Sequence, residues 1–536
     1  MEGGGIHAFE LVFLLLLVFV VAFAALARKL HTPYPIVLVI AGLILSFIPG
    51  IPKVTLNPDV IFLVVLPPLL YSAAWLTPWR EFKFNFVSIF LLAFGLVGFT
   101  VAGVAITARW VFAGFDWRLG FVLGAVVATT DAIAATSIAK RVGLPRGIVD
   151  LLEGESLLND ATGLLALEFG VTMVVTGETP TLGAGLLRLS FLTIAAIVLG
   201  LLMGIAVEAI HKRIDDGPIE ITMSIIVPYA AYLGAEAIHS SGVLAVVACG
   251  LYMSRHSSHF FSPSVRLQAW SVWDAMSFVL NGLVFVLIGL QLPFVLAAIR
   301  GYSLRQLLQY GALFSVILIL LRLIWMYPGA YLANVIRRRV LHQKVKLPPP
   351  RQVFVVGWTG MRGVIALAAA LALPETLADG SPFPQRNLIV FLTFCVILVT
   401  LVLQGLTLPP LIRALGLAGL AGHEDEEEDA RRAMIEAALA LLEKSRREDG
   451  EEYPAVYSEI EQKYKSRLAS LSGQDGQEVT VNRHAYARYL QLSRSLLNAE
   501  RQTALQLRGK GRINDEVLRK VEHELDLTET RLSLIP

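Results

Sequence analysis

From residue 9 to residue 412 the chain alternates long apolar blocks with short polar breaks, and then its character changes. Crossing hydrocarbon as a helix takes ~20 apolar residues. About 13 blocks read as membrane-spanning helices: 9–27, 34–49, 58–76, 86–113, 119–140, 151–176, 185–210, 219–238, 241–254, 268–298, 305–334, 352–373 and 387–412. Barrel strands would alternate in much shorter segments, so a β-barrel is excluded. The pattern predicts an all-α polytopic membrane protein, with a transmembrane domain over 1–412 and a helical cytoplasmic tail over 413–536.

Two blocks are interrupted. The fifth carries Thr129-Thr130-Asp131 midway, and the twelfth carries GWTGMRG (Gly357 to Gly363), three glycines around Arg362. Hydroxyls, glycines and charge at mid-span are what a broken helix needs, because its freed backbone groups must line a polar cavity. The two blocks lie seven apart, an odd offset, so they cross in opposite directions. This predicts inverted repeats of six spans on either side of a linking seventh, with two broken helices crossing. Glycine also serves plain helix packing, the role expected of Gly200 and Gly204. Packing alone does not explain Arg362.

Charge sets the orientation. The net charge of +2 hides an uneven distribution: 18 basic and 23 acidic residues from Ala421 onward, against 27 basic and 20 acidic before it. With 13 spans and the N-terminus outside, the loops carrying Arg28 and Lys29, Arg80 and Lys83, Lys140, Arg141 and Arg146, Lys212 and Arg213, Arg255 and Arg266, and Arg337 to Lys346 all fall in the cytoplasm. That is the expected bias. Opposite loops such as TGETPT are poor in Lys and Arg; Lys53, Arg118, Arg300 and Arg305 are exceptions. The first block has its charges after the apolar stretch and reads as a retained helix. Cys249 and Cys395 both lie inside apolar blocks, which favours packing over a disulfide.

The candidate chemistry sits in EGESLLNDATG, where Glu153, Glu155, Asn159 and Asp160 run directly into apolar sequence, and in Asp131 of the fifth block. Carboxylates at bilayer depth are costly and survive where they have a task. On a helix Ser156 and Asp160 share a face, as do Glu155 and Asn159, and Glu153, Ser156 and Asp160 form one stripe. Oxygen ligands without clustered His or Cys suit a hard cation such as Na+, K+ or Li+. A desolvated aspartate resists being both charged and empty, so Asp160 is expected to cross only with H+ or a metal cation bound. Competition for one carboxylate then couples the two flows. Arg362 needs a partner at membrane depth; Glu155 is the first choice and Glu153 the fallback. Glu153, near the end of its span, can also reach back toward water.

At these residues the chain resembles the monovalent cation/proton antiporter superfamily, in the Asn-Asp branch that includes bacterial sodium/proton antiporters and the animal sodium/proton exchangers. The matching stretches are VLPPLLYSAAW (65–75), TTDAIAATSIAKRVGLP (129–145), EGESLLNDATG (153–163), AEAIHSSGVLAVVACGL (235–251), LNGLVFVLIGL (280–290) and GWTGMRGVIALAAALALP (357–374). The resemblance implies a homodimer with a dimer subdomain and a mobile core, working by elevator-like alternating access. It puts the cation on Asp160, with Asp131, Thr130 and Ser156 nearby, has Asn159 orient the site, and implies a Glu155–Arg362 ion pair. The electrogenic branch typically has Asp at the position of Asn159, so the neutral amide implies one-for-one, electroneutral exchange. This chain departs from the family in having Ala132 where Pro often follows the aspartate, and Ser72 where many members carry an acid.

Glu236 and His239 match a family stretch but sit near a turn, where structural hydrogen bonding is expected. Asp274, Asn281 and Arg322 are candidates for a second buried network. Glu168 either lines an outer access path or pairs locally. In the tail, HEDEEEDARR opens a solvated helix, and AMIEAALALLEKSRRE and HAYARYLQLSRSLLNAERQTALQLR are amphipathic. The INDEVLRKVEHELDLTETRL ending resembles the tails of bacterial family members, and dimer support or regulation is its expected role. No catalytic residue, cofactor or nucleic-acid partner is expected. The reading is therefore a plasma-membrane antiporter exchanging Na+ for H+ in pH and Na+ homeostasis. A K+(Na+)/H+ antiporter is the rival within the class. A passive cation channel or an intramembrane aspartyl protease would be rivals outside it; the protease reading lacks the expected sequence context around its acids.

Overall fold

The computed structural model describes residues 3–48, 56–112, 114–177, 181–214, 216–299, 301–377, 379–419, 424–449, 453–471, 477–510, 512 and 515–533. Lys53, Arg300, part of TGETPT, the start of the acidic run at His423 and the end of the second expected span lie outside the described residues. Among those described, regular structure is helical throughout, apart from an isolated bridge between Thr376 and Pro382. The chain divides into two compact units, Met1–Ala421 and Gly422–Pro536.

The first unit runs α1 (Gly3–Lys29), α2 (Tyr34–Leu45), α3 (Pro58–Leu76), α4 (Trp79–Val111), α5 (Trp117–Ala128), α6 (Ala132–Val142), α7 (Arg146–Thr176), α8 (Leu182–His211), α9 (Gly217–Ala237), α10 (Gly242–Phe260), α11 (Pro263–Leu290), α12 (Leu304–Arg339), α13 (Pro350–Trp358), α14 (Val364–Leu371) and α15 (Arg386–Ala414). Among the described residues, ten helical spans are long and apolar enough to cross a membrane. They coincide with ten of the expected blocks. The other three fall on the 12-residue α2, the 19-residue α10 and the divided pair α13–α14. Large apolar side chains such as Leu187, Phe191, Ile194 and Ile205 point outward from α8. In water such a surface would drive association; in a bilayer it is the ordinary exterior.

Both interruptions are real. Asp116 caps the start of α5 by accepting from Leu119 N at 2.8 Å, and α5 ends at Thr129. Asp131 then caps α6, accepting from Ile133 N at 2.8 Å, the usual way a carboxylate satisfies a first-turn donor. α6 closes on Gly143, whose φ of 72° is left-handed and suits glycine. In the second interruption Thr359 to Gly363 separate α13 from α14. Gly200 and Gly204 do serve packing: a methyl on Gly200 would lie 2.3 Å from the Ala245 carbonyl oxygen, and one on Gly204 would lie 2.7 Å from the Tyr252 ring. Both cysteines are free, as packing residues should be.

The second unit comprises α16 (Glu424–Asp449), α17 (Pro454–Leu471), α18 (Gln477–Gly509) and α19 (Asp515–Ser533). α18 and α19 pack through Leu490, Leu497, Val521 and Leu525, and Arg501 reaches both Asp526, at 2.5 Å, and Glu529, at 2.8 Å. Amphipathic spacing in the sequence thus becomes a helical pair with one apolar seam.

Candidate functional site

The two interruptions meet. Asp131 N donates to the Met361 carbonyl at 2.8 Å, so the break after α5 is tied by backbone to the break before α14. A methyl group on Gly363 would lie 2.5 Å from Asp131 Oδ2, which leaves glycine as the residue that lets the carboxylate sit against this chain. Gly360 is equally hemmed in, by the side chains of Arg322 and Arg362.

A cavity of ≈ 260 Å³ opens at this crossing, bounded by Asp131 and Asp160, with Thr129, Thr130, Ser156 and Asn281 among its lining. Asp160 is buried on the middle turns of α7, while Asp131 is partly exposed. Ser156, one helical turn before Asp160, accepts from Ala132 N at 3.2 Å and so fixes α6 to α7 beside the cavity. Lys140 and Glu153 also line it and bridge at 2.8 Å, with the lysine side chain 65% exposed, marking the end that reaches water. The polar groups bounding the space between the two aspartates are oxygens and one amide, a donor set suited to a hard monovalent cation or a proton. Among the described residues no cluster of His, Cys, Asp and Glu could hold a resident metal.

Behind the cavity lies a second layer. Glu155 is buried and its partner is Arg322, not Arg362. Arg322 Nη2 donates to Glu155 Oε2 at 2.8 Å, and Nη1 donates to Oε1 of the same carboxylate. Thr130 Oγ1 donates to Glu155 at 3.2 Å, and Asn159 Nδ2 donates to Thr130 Oγ1 at 2.5 Å. Asn159 therefore holds Thr130 from behind and is absent from the cavity lining. The expected ion pair fails because Arg362 has its needs met elsewhere: Nε donates to the Val127 carbonyl at 3.0 Å, Nη1 donates to the Gly360 carbonyl, and its backbone N donates to Thr400 Oγ1 at 3.1 Å. Val127 lies in the last turn of α5. Carbonyls at a helix C-terminus have no intrahelical donors and carry partial negative charge, so a cation there is stabilising. Arg322 does the same for α13, donating to the carbonyls of Val356 at 3.1 Å and Gly357 at 3.2 Å. Each half-helix that ends at the crossing is thus capped by an arginine.

Two divided helices that meet over buried carboxylates are an arrangement in which secondary transporters hold a substrate ion. The transmembrane model of the sodium/hydrogen exchanger family matches residues 14–414. The chain belongs to that family. An uncharacterised Na+/H+ exchanger of Mycobacterium bovis is 33% identical to this exchanger over 520 residues, 96% of this chain and 94% of the relative. A sodium, potassium, lithium and rubidium/H+ antiporter of Bacillus pumilus is 34% identical over 437 residues, 78% of this chain and 64% of the relative. The fold is similar to that of the sodium proton antiporter MjNhaP1 from Methanocaldococcus jannaschii, with a TM-score of 0.57 and 20% identity over 75% of this chain and 97% of that one.

Of the residues singled out in the sequence, the exchanger brings Asp131, Asp160, Ser156 and Thr130 together around the cavity and sets Asn159 and Glu155 behind it. Glu153 stays at the mouth with Lys140 rather than serving as Arg362's fallback. The proposed Asp274–Asn281–Arg322 network does not form: Asn281 lines the cavity, Asp274 is exposed, and Arg322 belongs to Glu155. Glu168 pairs locally with Arg188 at 3.1 Å, and Glu236 and His239 are exposed at their turn. The contribution of Thr400 went unseen, as a threonine in an apolar run carries no mark of it.

Proposed function

We propose that this exchanger moves one monovalent cation against one proton through the cavity between Asp131 and Asp160, with Na+ as the principal cation and K+ or Li+ as rivals. One observation carries the reading: the charges gathered at the crossing. Arg322 and Arg362 supply two positive charges; Glu155, Asp131 and Asp160 supply three negative ones. One bound proton or one bound monovalent cation makes the set neutral, whereas both or neither leaves it charged. Moving an uncompensated charge through the low-dielectric core costs several kcal/mol. The loaded forms cross and the empty form stays, which is coupled exchange.

Asn159 adds no charge, so the balance closes at one for one and the cycle is electroneutral. The core bearing the crossed half-helices moves past a dimer-forming subdomain in a homodimer, by elevator-like alternating access. The protein sits in the plasma membrane with its N-terminus outside and its tail in the cytoplasm, contributing to pH and Na+ homeostasis. The name of the Bacillus pumilus relative, which includes potassium and lithium, supports keeping K+ and Li+ as rivals.

The test uses purified protein in sealed liposomes with an imposed pH gradient, adding NaCl, KCl or LiCl while lumenal pH is followed under clamped and free membrane potential. Cation-dependent collapse of the gradient that ignores the potential is the expected result. Cation flux without proton movement would replace exchange with a passive channel.

A further inference from the structure

A second cavity, of ≈ 340 Å³, lies away from the ion site, walled by the first half of α4, the first turns of α7 and α13, the last turns of α12, and the 340–349 segment. Its body is apolar, with Leu91, Leu92, Ile148, Met326 and Val353 among its walls. Its rim is cationic, bearing Arg337 and Lys346, and none of its lining residues is a carboxylate. Arg337 is held in place rather than free: its guanidinium lies 4.4 Å over the Phe84 ring and Nε donates to Gln343 Oε1 at 2.8 Å. Yet its Nη2 is buried with no hydrogen-bond partner, and so is Oδ1 of Asn334, one turn earlier and 9% exposed.

Buried donors and acceptors left unpaired are costly, so such a pair inside a cavity points to an occupant that completes them. The occupant must accept from a guanidinium, tolerate an amide oxygen and carry apolar bulk. Arginine recognises phosphate oxygens with its planar fork. Arg337 and Lys346 lie on the side the basic loops assign to the cytoplasm, and such basic pockets between membrane helices suit anionic lipid headgroups. Phe84, half-exposed, opens the cavity onto the outer surface of the bundle, where acyl chains would lie.

We propose that this cavity is a binding site for the phosphate headgroup of an acidic phospholipid of the cytoplasmic leaflet. Arg337 and Lys346 take the phosphate oxygens, Asn334 Oδ1 accepts from a headgroup hydroxyl, and the first part of an acyl chain lies past Phe84. The site is coupled to the ion site by geometry. Val356 lines this cavity, and its carbonyl accepts from Arg322.

The test needs no transport assay. Thermal unfolding of the purified full chain in detergent is followed after adding phosphatidylglycerol, phosphatidylcholine or inorganic phosphate, for the unsubstituted protein and for Arg337→Gln, Lys346→Gln and Arg339→Gln. Phosphatidylglycerol should raise the melting temperature by several degrees where phosphatidylcholine does not. Arg337→Gln should lose most of that shift and Lys346→Gln part of it, while Arg339→Gln, outside the cavity lining, keeps it. Because Lys346 is exposed, its variant folds even if Arg337→Gln does not. Equal shifts with both lipids, an undiminished shift in both cavity variants, or an equal loss in Arg339→Gln would overturn the proposal. A shift with inorganic phosphate and none with phosphatidylglycerol would overturn the lipid as the source of the phosphate.

Discussion

Replacing Glu155 by Ala leaves Arg322 charged, 1% exposed and without its counter-ion. Removing one partner of a buried ion pair costs ~3–5 kcal/mol, mostly because the other charge stays behind unpaired. Arg322 keeps the carbonyls of Val356 and Gly357 as acceptors, which places the loss toward the lower end. Thr130 loses its acceptor at Glu155, adding ~1 kcal/mol. A total near 4 kcal/mol is expected. Arg322→Met should cost a comparable amount, since it strands the carboxylate and uncaps α13. In the double variant neither charge is stranded, so its loss should fall short of the sum of the singles by ~2–3 kcal/mol. The same cycle between Glu155 and Arg362 should couple by less than ~1 kcal/mol, because these two share no direct hydrogen bond. The assay is unfolding of the detergent-solubilised protein followed by tryptophan fluorescence, with all variants at one scan rate. Additive losses for Glu155 and Arg322, together with strong coupling between Glu155 and Arg362, would refute the assignment and restore the pairing first read from the sequence.

Asp160→Asn should abolish exchange in liposomes while elution and unfolding stay near those of the parent; retained exchange would remove the central carboxylate. Asn159→Asp adds a fourth negative charge beside the crossing, so exchange should become sensitive to membrane potential, and a potential-independent variant would break the charge-balance account. Gly363→Ala drives a methyl into Asp131, and cation affinity measured from exchange rates should fall at least tenfold; unchanged affinity would place Asp131 outside the site. Removing 422–536 should leave the ion preference of the remaining unit unchanged, as no ion-site residue lies in the tail, and an altered preference would bring the tail into the site.

The broken helices were legible because their marks are local. Hydroxyls and Asp131 interrupt one apolar block, three glycines and Arg362 interrupt another, and no ordinary membrane helix needs either set. The union of Asp160, Ser156 and Asp131 was legible for a related reason: helical spacing aligns the first two, and desolvation demands a shared task for the acids. The partner of Glu155 was not legible. Arg322 lies in an unbroken 36-residue helix with nothing beside it to signal a site, whereas Arg362 sits in an obvious break and so drew the assignment. Span number was also hard to read. α2 and the half-helices α13 and α14 are each shorter than a bilayer crossing, so an apolar block of span length in the sequence need not be one spanning helix.

The unexpected division of labour between the arginines follows from what a broken helix costs. Each interruption exposes carbonyls at the end of one half-helix and amide donors at the start of the next. At the crossing, the donors of α6 are met by Asp131 and the carbonyls of α5 and α13 by Arg362 and Arg322. The capping charges are unequal in number, two arginines to the single Asp131, so one further carboxylate, Glu155, is needed to offset the excess. It does so without entering the cavity. That leaves Asp160, among the carboxylates at the crossing, with neither an arginine nor a first-turn amide donor, so on the proposed exchange reading it is the group whose counter-charge comes from solution as a proton or a cation. On that reading the substrate site arises from leaving one term of the local charge balance open, and the surrounding caps decide which residue carries it.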